Sequence, residues 1–321
     1  MSDVQIIDVS PRDGLQNEPV VVSTEKKKKL IEMLVRSNVK KIEATSFVHP
    51  RKVPQMVDAE QVMKQCKEFA GIEFVALIPN LKGFQRAIQT NISEVNWVTA
   101  ATETFNYKNI GMSIDENFAQ FKRIVQESRI LNMKVCFSIA ASFGCPYEGE
   151  VNPAKVISLV ERAVEAGADR IGIADTIGIA TPKQVKRLLA EVLQVAQSTP
   201  IAIHLHDTRG MGLANAYAAL EAGVKIFETS ASGIGGCPFA PGAAGNLATE
   251  DLVYMFERMG VKTEIDFEKL LEAADFAASL TSNQPLGRIR QVEKSPAVIC
   301  QGEKSSKLEI RLSDDPKKGN T

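Results

Sequence analysis

Hydrophobic residues along the chain fall into short apolar runs that alternate with longer segments of mixed polarity. The short runs are rich in Val and Ile and carry few charges at their centres, which is typical of parallel strands covered on both faces. Eight such runs predict strands at Val4–Val9, Lys41–Thr45, Phe74–Ile78, Glu94–Thr99, Lys134–Ala140, Arg170–Ala174, Ile201–Leu205 and Lys225–Thr229.

Several longer segments carry apolar residues at helical spacing behind a residue that favours a helix start. Six helices are predicted in this way, four beginning at Ser23, Ser113, Pro153 and Thr181 and two more at 213–220 and 251–259. Strands alternating with helices predict either a closed (β/α)8 barrel or a doubly wound sheet.

The segment after the first strand helps to decide between these two architectures. It reads Ser-Pro-Arg-Asp-Gly and lacks the glycine-rich phosphate loop of a doubly wound nucleotide-binding sheet. Polar and ionisable residues instead gather at the C-terminal ends of several strands, where barrel enzymes place their active sites. We therefore predict an α/β fold, a (β/α)8 TIM barrel, over residues 1–262. A short C-terminal helical extension and a polar tail are predicted over 263–321.

Composition adds little that is specific. The 321 residues are 44% hydrophobic, and 38 basic against 39 acidic residues give a net charge of −1. No charge excess favours nucleic acid or a membrane surface as a partner. The five cysteines form no C-x-x-C pair, and no apolar run approaches the ~20 residues of a membrane span. A strand-like run begins at Val4 and leaves no room for a targeting peptide, so we expect a soluble cytoplasmic protein.

Two of the three histidines lie in the motif His204-Leu205-His206 at the end of the seventh predicted strand. Residues two apart on a strand point to the same side, so both imidazoles can bind one metal ion. The alternative is a pair of structural histidines held by hydrogen bonds. In a barrel, Asp13 after the first strand faces the same mouth and can supply a carboxylate ligand. Its alternative role is that of a turn residue before Gly14.

A glycine-rich segment follows the eighth predicted strand, from Ser232 to Asn246. Such a segment is costly to order unless it closes over something, and we interpret it as a substrate lid. Cys237 lies within it and is either a proton-exchanging thiol or a small apolar filler. Asn246 ends it and is either a metal ligand or the N-cap of the next helix.

Two acidic residues lie at or near other strand ends, Glu43 and Asp175. Each either orients a ligand or a cation such as Arg12, or forms a buried structural ion pair. Two imidazoles, a carboxylate and an amide make a mixed nitrogen and oxygen ligand set without thiolates. This set predicts a divalent metal cofactor, Mg²⁺ or Mn²⁺ before Zn²⁺, Co²⁺ or Fe²⁺.

Several motifs in the chain resemble those of 3-hydroxy-3-methylglutaryl-CoA lyases. The stretches that carry the resemblance begin at Pro11, Thr45, Gly144, Asp175, His204, Gly235 and Gly245, and together they span most of residues 4–260. The resemblance implies a metal-dependent lyase that cleaves this thioester to acetyl-CoA and acetoacetate. It implies that the metal ligands are Asp13, His204, His206 and Asn246. It also implies that the catalytic residues are Arg12, Asp13, Glu43, His204 and Cys237, and that the substrate-binding residues are Arg12, Ser46 and Asp175.

The resemblance further implies a small-molecule CoA thioester as partner, a homodimer, and a place in leucine degradation. Two positions depart from the family pattern: Ala174 stands where we expect Gly, and Ala44 where relatives carry a bulkier residue. These departures leave open a lyase for a larger branched 3-hydroxyglutaryl-CoA. A Claisen-type synthase joining acetyl-CoA to a 2-oxo acid is a further alternative, although such chains usually carry a long C-terminal regulatory region.

Overall fold

The computed structural model describes residues 2–236, 245–282 and 287–292. Its eight parallel strands close into a barrel in chain order, with β1 pairing both β2 and β8. The strands are β1 (Gln5–Asp8), β2 (Lys41–Ser46), β3 (Glu73–Ile78), β4 (Glu94–Ala100), β5 (Lys134–Ala140), β6 (Arg170–Asp175), β7 (Ile201–Leu205) and β8 (Ile226–Thr229). The predicted barrel and all eight predicted strands are therefore confirmed.

Ten α-helices lie within the described residues. They are α1 (Thr24–Arg36), α2 (Ala59–Cys66), α3 (Leu81–Ala87), α4 (Glu103–Ile110), α5 (Ile114–Ile130), α6 (Pro153–Ala166), α7 (Pro182–Ala196), α8 (Gly212–Ala222), α9 (Thr249–Arg258) and α10 (Phe267–Ala278). The six predicted helices correspond to α1 and α5 to α9, while α10 lies in the predicted C-terminal helical region. Helices α2, α3 and α4 were not predicted, and each has only seven or eight residues.

Local sequence explains where the longer helices begin and end. Ser113 with Glu116 and Thr181 with Gln184 form capping boxes, in which side chains and backbone N–H groups satisfy each other at the first turn. Helix α6 ends at Gly167, whose φ of 88° is in the left-handed region that glycine adopts without strain. These signals set the lengths of the helices that surround the barrel.

The main hydrophobic core lies between the barrel and its helices. Apolar residues of α1, α5, α6, α7 and α9 pack there against outward-facing strand residues. Leu270, Ala273 and Ala277 of α10 belong to the same core. The domain boundary at 262/263 stays a prediction, and most of the predicted polar tail lies outside the described residues.

The inside of the barrel differs from this core because it buries several charged side chains. Lys41, Glu94, Arg170 and Glu228 are all at most 5% exposed. Successive side chains of a strand point alternately to the outside and to the inside of the barrel, and these four side chains point inside. The barrel therefore encloses a polar interior that opens at its C-terminal mouth.

Candidate active site

Three predicted ligands converge at the C-terminal mouth of the barrel. One ligand atom each of Asp13, His204 and His206 lies within 4.8 Å of the others. The Nε2 atoms of the two histidines are 3.1 Å apart, and His204 Nε2 is 4.0 Å from Asp13 Oδ2. The structure thus brings together residues almost 200 positions apart in the sequence.

Backbone geometry places the histidines on one side. His204 lies in β7, and His206 follows the strand and pairs with Asn246 in an isolated antiparallel bridge. Hydrogen bonds from Asp207 N to Gly245 O (3.1 Å) and from Leu247 N to Leu205 O (2.9 Å) flank this bridge. The C-terminal end of the glycine-rich stretch, from Gly245 to Leu247, is therefore held against the end of β7, beside the ligand cluster.

Asn246 is buried within this arrangement. Its Nδ2 donates hydrogen bonds to Asp13 Oδ2 (2.9 Å) and to the carbonyl of Ile234 (3.0 Å). Its Oδ1 is buried and has no hydrogen-bond partner among the described residues. Helix α9 has Ala248 as its N-cap, so Asn246 does not have the alternative capping role considered from the sequence.

Asp13 and Arg12 come from a short π-helical turn, Ser10–Gly14, that continues directly from β1. Arg12 Nη1 forms an ion pair with Asp13, while Arg12 Nε donates to Glu43 Oε2 at 2.6 Å. Arg12 and Glu43 are only 6% and 1% exposed. Glu43 therefore forms a buried ion pair with Arg12 and holds the Arg12 guanidinium at the cavity. Both roles considered for Glu43 from the sequence, ion-pair partner and orienting carboxylate, are compatible with this contact.

The electrostatics of the cluster favour cation binding. Burial raises the pKa of Asp13, but Arg12 and the two histidines outweigh it and lower the pKa to about 2. Burial together with the nearby His204 lowers the pKa of His206 to about 4. At neutral pH Asp13 is thus ionised and His206 is neutral, as metal binding requires.

The pKa values of His204 and Glu43 are both raised, for different reasons. Burial lowers the pKa of His204, but its hydrogen bond to Glu228 and the charge of Asp13 outweigh this and raise the pKa. Burial raises the pKa of Glu43 by more than Arg12 lowers it. Both groups are held in the barrel interior by partners of opposite charge.

A cavity of about 170 Å³ opens beside these residues. Polar groups from the barrel mouth and interior line it together with apolar side chains of β3 to β6. Lining residues that bear on the chemistry are Arg12, Asp13, Asn96, Asn109, Ser138, Ala174, Thr176, His204, His206 and Glu228. A small molecule that enters this cavity reaches the ligand cluster and Arg12 together.

The donor set fits a divalent cation. Two imidazole nitrogens and one ionised carboxylate lie within 4.8 Å of one another, and Asn246, whose buried amide oxygen has no partner among the described residues, is hydrogen-bonded to that carboxylate. Oxygen and imidazole donors without thiolate suit Mg²⁺ and Mn²⁺ and also accommodate other first-row ions. The orphaned Asn246 oxygen is the observation that favours a missing positive partner, because buried polar atoms are seldom left unsatisfied.

The remaining predicted site residues lie elsewhere or outside the described residues. Ser46 is fully buried, and its hydroxyl donates to Gln16 Oε1 at 3.3 Å. Asp175 accepts backbone N–H bonds from Ile179 and Ala180 (both 3.0 Å), so its visible contacts organise the loop after β6. The substrate-binding roles of Ser46 and Asp175 stay predictions. Cys237 lies outside the described residues.

Asn96 and Glu228 are among the polar residues of the cavity that were not anticipated from the sequence. Asn96 Nδ2 donates to Glu43 Oε1 (3.0 Å) and Asn96 Oδ1 accepts from Ser138 Oγ (2.7 Å), which links Glu43 to the barrel floor. Glu228 contacts His204. The available signal was a polar residue inside an otherwise apolar strand, since such a residue must find a partner in the interior.

The fold and site together define a (β/α)8 barrel with a cluster of candidate metal ligands at the C-terminal mouth of the barrel. A family model described as HMGL-like matches residues 3–277. The chain belongs to the HMGL-like family, and the resemblance inferred from the motifs is confirmed.

Individual relatives agree with this assignment. The chain is 44% identical over 288 residues to a mitochondrial hydroxymethylglutaryl-CoA lyase of Macaca fascicularis, covering 90% of this chain and 89% of the relative. It is 40% identical to a cytoplasmic 3-hydroxy-3-methylglutaryl-CoA lyase of Mus musculus, over 90% and 84% of the two chains.

A solved structure is also similar along nearly the whole chain. It is an HMG-CoA lyase from Acinetobacter baumannii in complex with coenzyme A and 3-methylmalate, with a TM-score of 0.87 and 40% identity. The match covers 92% of this chain and 96% of that one. In the parts of the chain that the structure describes, no helix combines the length and apolarity needed to span a membrane.

Proposed function

We propose that this protein is a metal-assisted carbon–carbon lyase that cleaves 3-hydroxy-3-methylglutaryl-CoA to acetyl-CoA and acetoacetate. The observation that carries the proposal is the convergence of Asp13, His204 and His206 beside Arg12 in a member of the HMGL-like family. Relatives at 40–44% identity are named as lyases of this thioester. The synthase alternative is not favoured by these relatives.

A divalent cation would be held by Asp13, His204, His206 and Asn246. When bound, it supplies a Lewis acid that lowers the pKa of a substrate hydroxyl and fixes the orientation of that hydroxyl. Mg²⁺ or Mn²⁺ is proposed because the donors are oxygen and imidazole nitrogen. Asn246 Oδ1 supports the fourth assignment because it is buried and lacks a partner among the described residues.

Cleavage of the C2–C3 bond requires removal of the proton from the C3 hydroxyl and a place for negative charge on the thioester oxygen. The Asp13 carboxylate faces the cavity and can take this proton, whereas His204 Nε2 could take it only while that nitrogen is not bound to the cation. Arg12 also lines the cavity and is fixed by Asp13 and Glu43. Its guanidinium is thus preorganised to stabilise the developing enolate of acetyl-CoA.

The enolate carbon must then gain a proton. We assign this step to the thiol of Cys237, because the glycine-rich segment that carries it adjoins the site at both ends. Gly236 lines the cavity, and Asn246 lies in the ligand cluster. Ser46 and Asp175 are proposed to contribute to substrate binding through the residues that they hold, Gln16 and the loop after β6.

The experiment is to incubate the purified chain with the thioester and Mg²⁺ and to measure acetoacetate. A lyase releases acetoacetate and acetyl-CoA in equal amounts, and release stops when a chelator is added. Absence of acetoacetate, together with free thiol formed only from acetyl-CoA and a 2-oxo acid, would replace this proposal with the synthase.

The acyl substituent is best tested with a panel of thioesters that differ at C3. Ala174 lines the cavity and is the cross-strand neighbour of His204, so its methyl group narrows the space beside the proposed metal. We propose that the methyl substituent is preferred over larger branched ones for this reason. A higher kcat/KM for a bulkier thioester would instead favour the larger-substrate lyase.

The proposal extends to the oligomeric state, the pathway and the cellular compartment of the protein. We propose a homodimer that acts in leucine degradation in the cytoplasm. The similarity to a relative named as cytoplasmic supports this compartment, while other relatives of equal coverage are named as mitochondrial.

A further inference from the structure

A chain of buried ion pairs crosses the interior of the barrel and ends on one of the ligand histidines. Lys41 Nζ contacts Glu94 Oε2 at 2.6 Å, and Glu94 Oε1 accepts from Arg170 Nε at 3.0 Å. Arg170 Nη1 then donates to Glu228 Oε1 at 2.6 Å. Positive and negative groups alternate, so each buried charge has a partner of opposite sign.

The last link joins Glu228 to His204. The two residues are cross-strand partners in the parallel register of β7 and β8, and Glu228 Oε2 lies 3.3 Å from His204 Nδ1. The opposite ring nitrogen, Nε2, faces the cluster with His206 and Asp13. A carboxylate is only an acceptor, so this contact requires the hydrogen of the neutral imidazole to lie on Nδ1.

Both oxygens of Glu228 are therefore engaged by donors, Arg170 on one side and His204 on the other. Glu228 is 5% exposed, and Arg170 is 3% exposed. His206 shows the contrast, because its Nδ1 is buried without a hydrogen-bond partner among the described residues. Within that part of the chain, His204 is thus the ligand histidine whose ring is fixed by a carboxylate.

We propose that Glu228 is a positioning residue that fixes the tautomer and orientation of His204, and that Arg170 holds Glu228 for this task. The inference rests on the proposed metal-dependent function. Carboxylates in this relation to a ligand histidine raise its basicity and set its ring orientation, and their loss costs about 10–100-fold in metal affinity. Glu228 does not touch the cation itself.

The test compares Mn²⁺ binding to the full chain and to Glu228→Gln by isothermal titration. Glutamine offers one acceptor and one donor, whereas Arg170 and His204 both donate, so one of the two contacts must fail. We expect a dissociation constant for Mn²⁺ about 10–100-fold higher in the variant. A second carboxylate variant, Glu228→Asp, retains the charge at a shorter reach and should fall between the two.

A second measurement, NMR spectroscopy, reports the tautomer of His204 directly. A cation bound at Nε2 would by itself force the hydrogen onto Nδ1, so the spectra are recorded on the metal-free protein in chelator, at a pH where the imidazoles are neutral. The chain has three histidines, so these long-range ¹H–¹⁵N NMR spectra contain few imidazole signals. His204, identified by its absence from a His204→Gln sample, should show the hydrogen on Nδ1 in the parent chain. In Glu228→Gln the signal should shift toward a mixture of tautomers. A merely structural role for Glu228 would not move this signal.

Glu250→Gln is the matched control. Glu250 is likewise a fully buried glutamate, but it accepts a hydrogen bond from Ser232 N instead of from a histidine. Because burial raises its pKa to about 8, this variant controls for the buried Glu-to-Gln exchange, and Glu228→Asp controls for the charge. The Glu250 variant should bind Mn²⁺ like the parent, and thermal unfolding in chelator checks that each variant folds. Should Glu228→Gln fail to fold, Glu228→Asp and the parent's NMR signal decide the question.

The outcomes separate the inference from the proposed function. Equal Mn²⁺ affinity in the parent and both Glu228 variants, or a parent His204 with its hydrogen on Nε2, would overturn the inference alone. A parent chain that binds no divalent cation would instead overturn the proposed metal-dependent lyase.

Discussion

At the scale of single residues, Arg12 has the most specific assignment. It is buried at the cavity and held by Asp13 and Glu43, so it can meet a developing negative charge without reorganising. Arg12→Gln removes that charge but leaves the ligand residues in place. We expect kcat to fall by roughly 10²–10³-fold while Mn²⁺ affinity stays near that of the parent.

Steady-state kinetics and Mn²⁺ titration of the same sample measure both effects. Arg129→Gln is the control, because Arg129 pairs with Asp169 immediately before β6, at the opposite end of the barrel. It should leave kcat unchanged. Unchanged turnover in Arg12→Gln would remove this residue from the mechanism.

His206 is predicted to be a ligand, so His206→Ala should weaken metal binding and activity together. We expect the dissociation constant for Mn²⁺ to rise by more than about 10-fold, since a ligand contributes at least as much as a residue that orients one. The third histidine, His49, is exposed and serves as the control. If the His206 variant retains as much metal as His49→Ala, the ligand assignment is wrong.

The residues of this site differ in how far their roles can be predicted from the sequence. His204 and His206 follow from strand periodicity alone, because alternate residues share a face. Glu228 stands in a predicted strand, but its importance depends on the register between β7 and β8, which periodicity does not determine. For Asn246 the observed start of α9 excludes the N-cap alternative, while the ligand role stays a prediction.

At the scale of elements, three loop segments interlock around the cluster. A Cβ at Gly14 would lie 2.6 Å from Ile234 Cγ1, and one at Gly235, whose φ is +116°, would lie 2.5 Å from Asn246 Nδ2. A Cβ at Gly245 would overlap the carbonyl oxygens of Gly233 and Gly235. The turn after β1 and the two ends of the glycine-rich segment thus approach each other too closely for side chains.

This close packing predicts the effect of Gly245→Ala. The obstructing atoms are backbone, which cannot turn away as a side chain can, so the segment bearing Asn246 must shift. We expect a loss of about 1–3 kcal/mol in the free energy of unfolding, as in other overpacked sites. Mn²⁺ affinity should fall as well, because Asn246 moves.

Gly236→Ala is the matched control for that substitution. A Cβ at Gly236 meets no described atom within 4 Å, although the residue belongs to the same glycine-rich stretch. Denaturant unfolding and Mn²⁺ titration should show this variant close to the parent. Similar losses in both variants would mean that close packing at Gly245 does not position Asn246.

Elements also show where sequence-based prediction of the fold succeeds. Helices α5 and α7 were predicted from a favourable start residue, Ser113 or Thr181, followed by a long apolar face, and in the structure both starts form capping boxes. Helices α2 and α3 have eight and seven residues, too few for a clear period. They lie in the crossover connections that join consecutive parallel strands, and such connections are usually helical.

At the scale of the whole molecule, two carboxyl groups buried near the junction of β1, β8 and α9 make stability depend on pH. Asp8 accepts hydrogen bonds from Ala231 N (3.1 Å) and Thr249 Oγ1 (2.8 Å), and burial raises its pKa. Burial also raises the pKa of Glu250 from 4.5 to about 8. Glu250 Oε1 has no hydrogen-bond partner among the described residues, so ionising this group in the folded protein is unfavourable.

The sign of the resulting pH dependence follows from linkage. Between pH 4.5 and about 8 the folded chain keeps a proton on Glu250 that the unfolded chain releases. The contribution of Glu250 to stability is therefore fully present below pH 4.5 and is lost as pH rises to about 8. Glu250→Gln removes this loss, because an amide does not titrate.

We expect the free energy of unfolding of Glu250→Gln, relative to the parent, to rise with pH across this interval by at most ~1.4 kcal/mol per pH unit. An amide group at this position is left partly unsatisfied and costs the same at every pH, so the slope rather than the offset is diagnostic. Urea unfolding from about pH 5 to about pH 9 measures the slope. Glu191→Gln, on the exposed face of α7, should follow the parent in parallel. A Glu250→Gln curve that is equally parallel would show that Glu250 ionises in the folded protein as readily as in the unfolded chain.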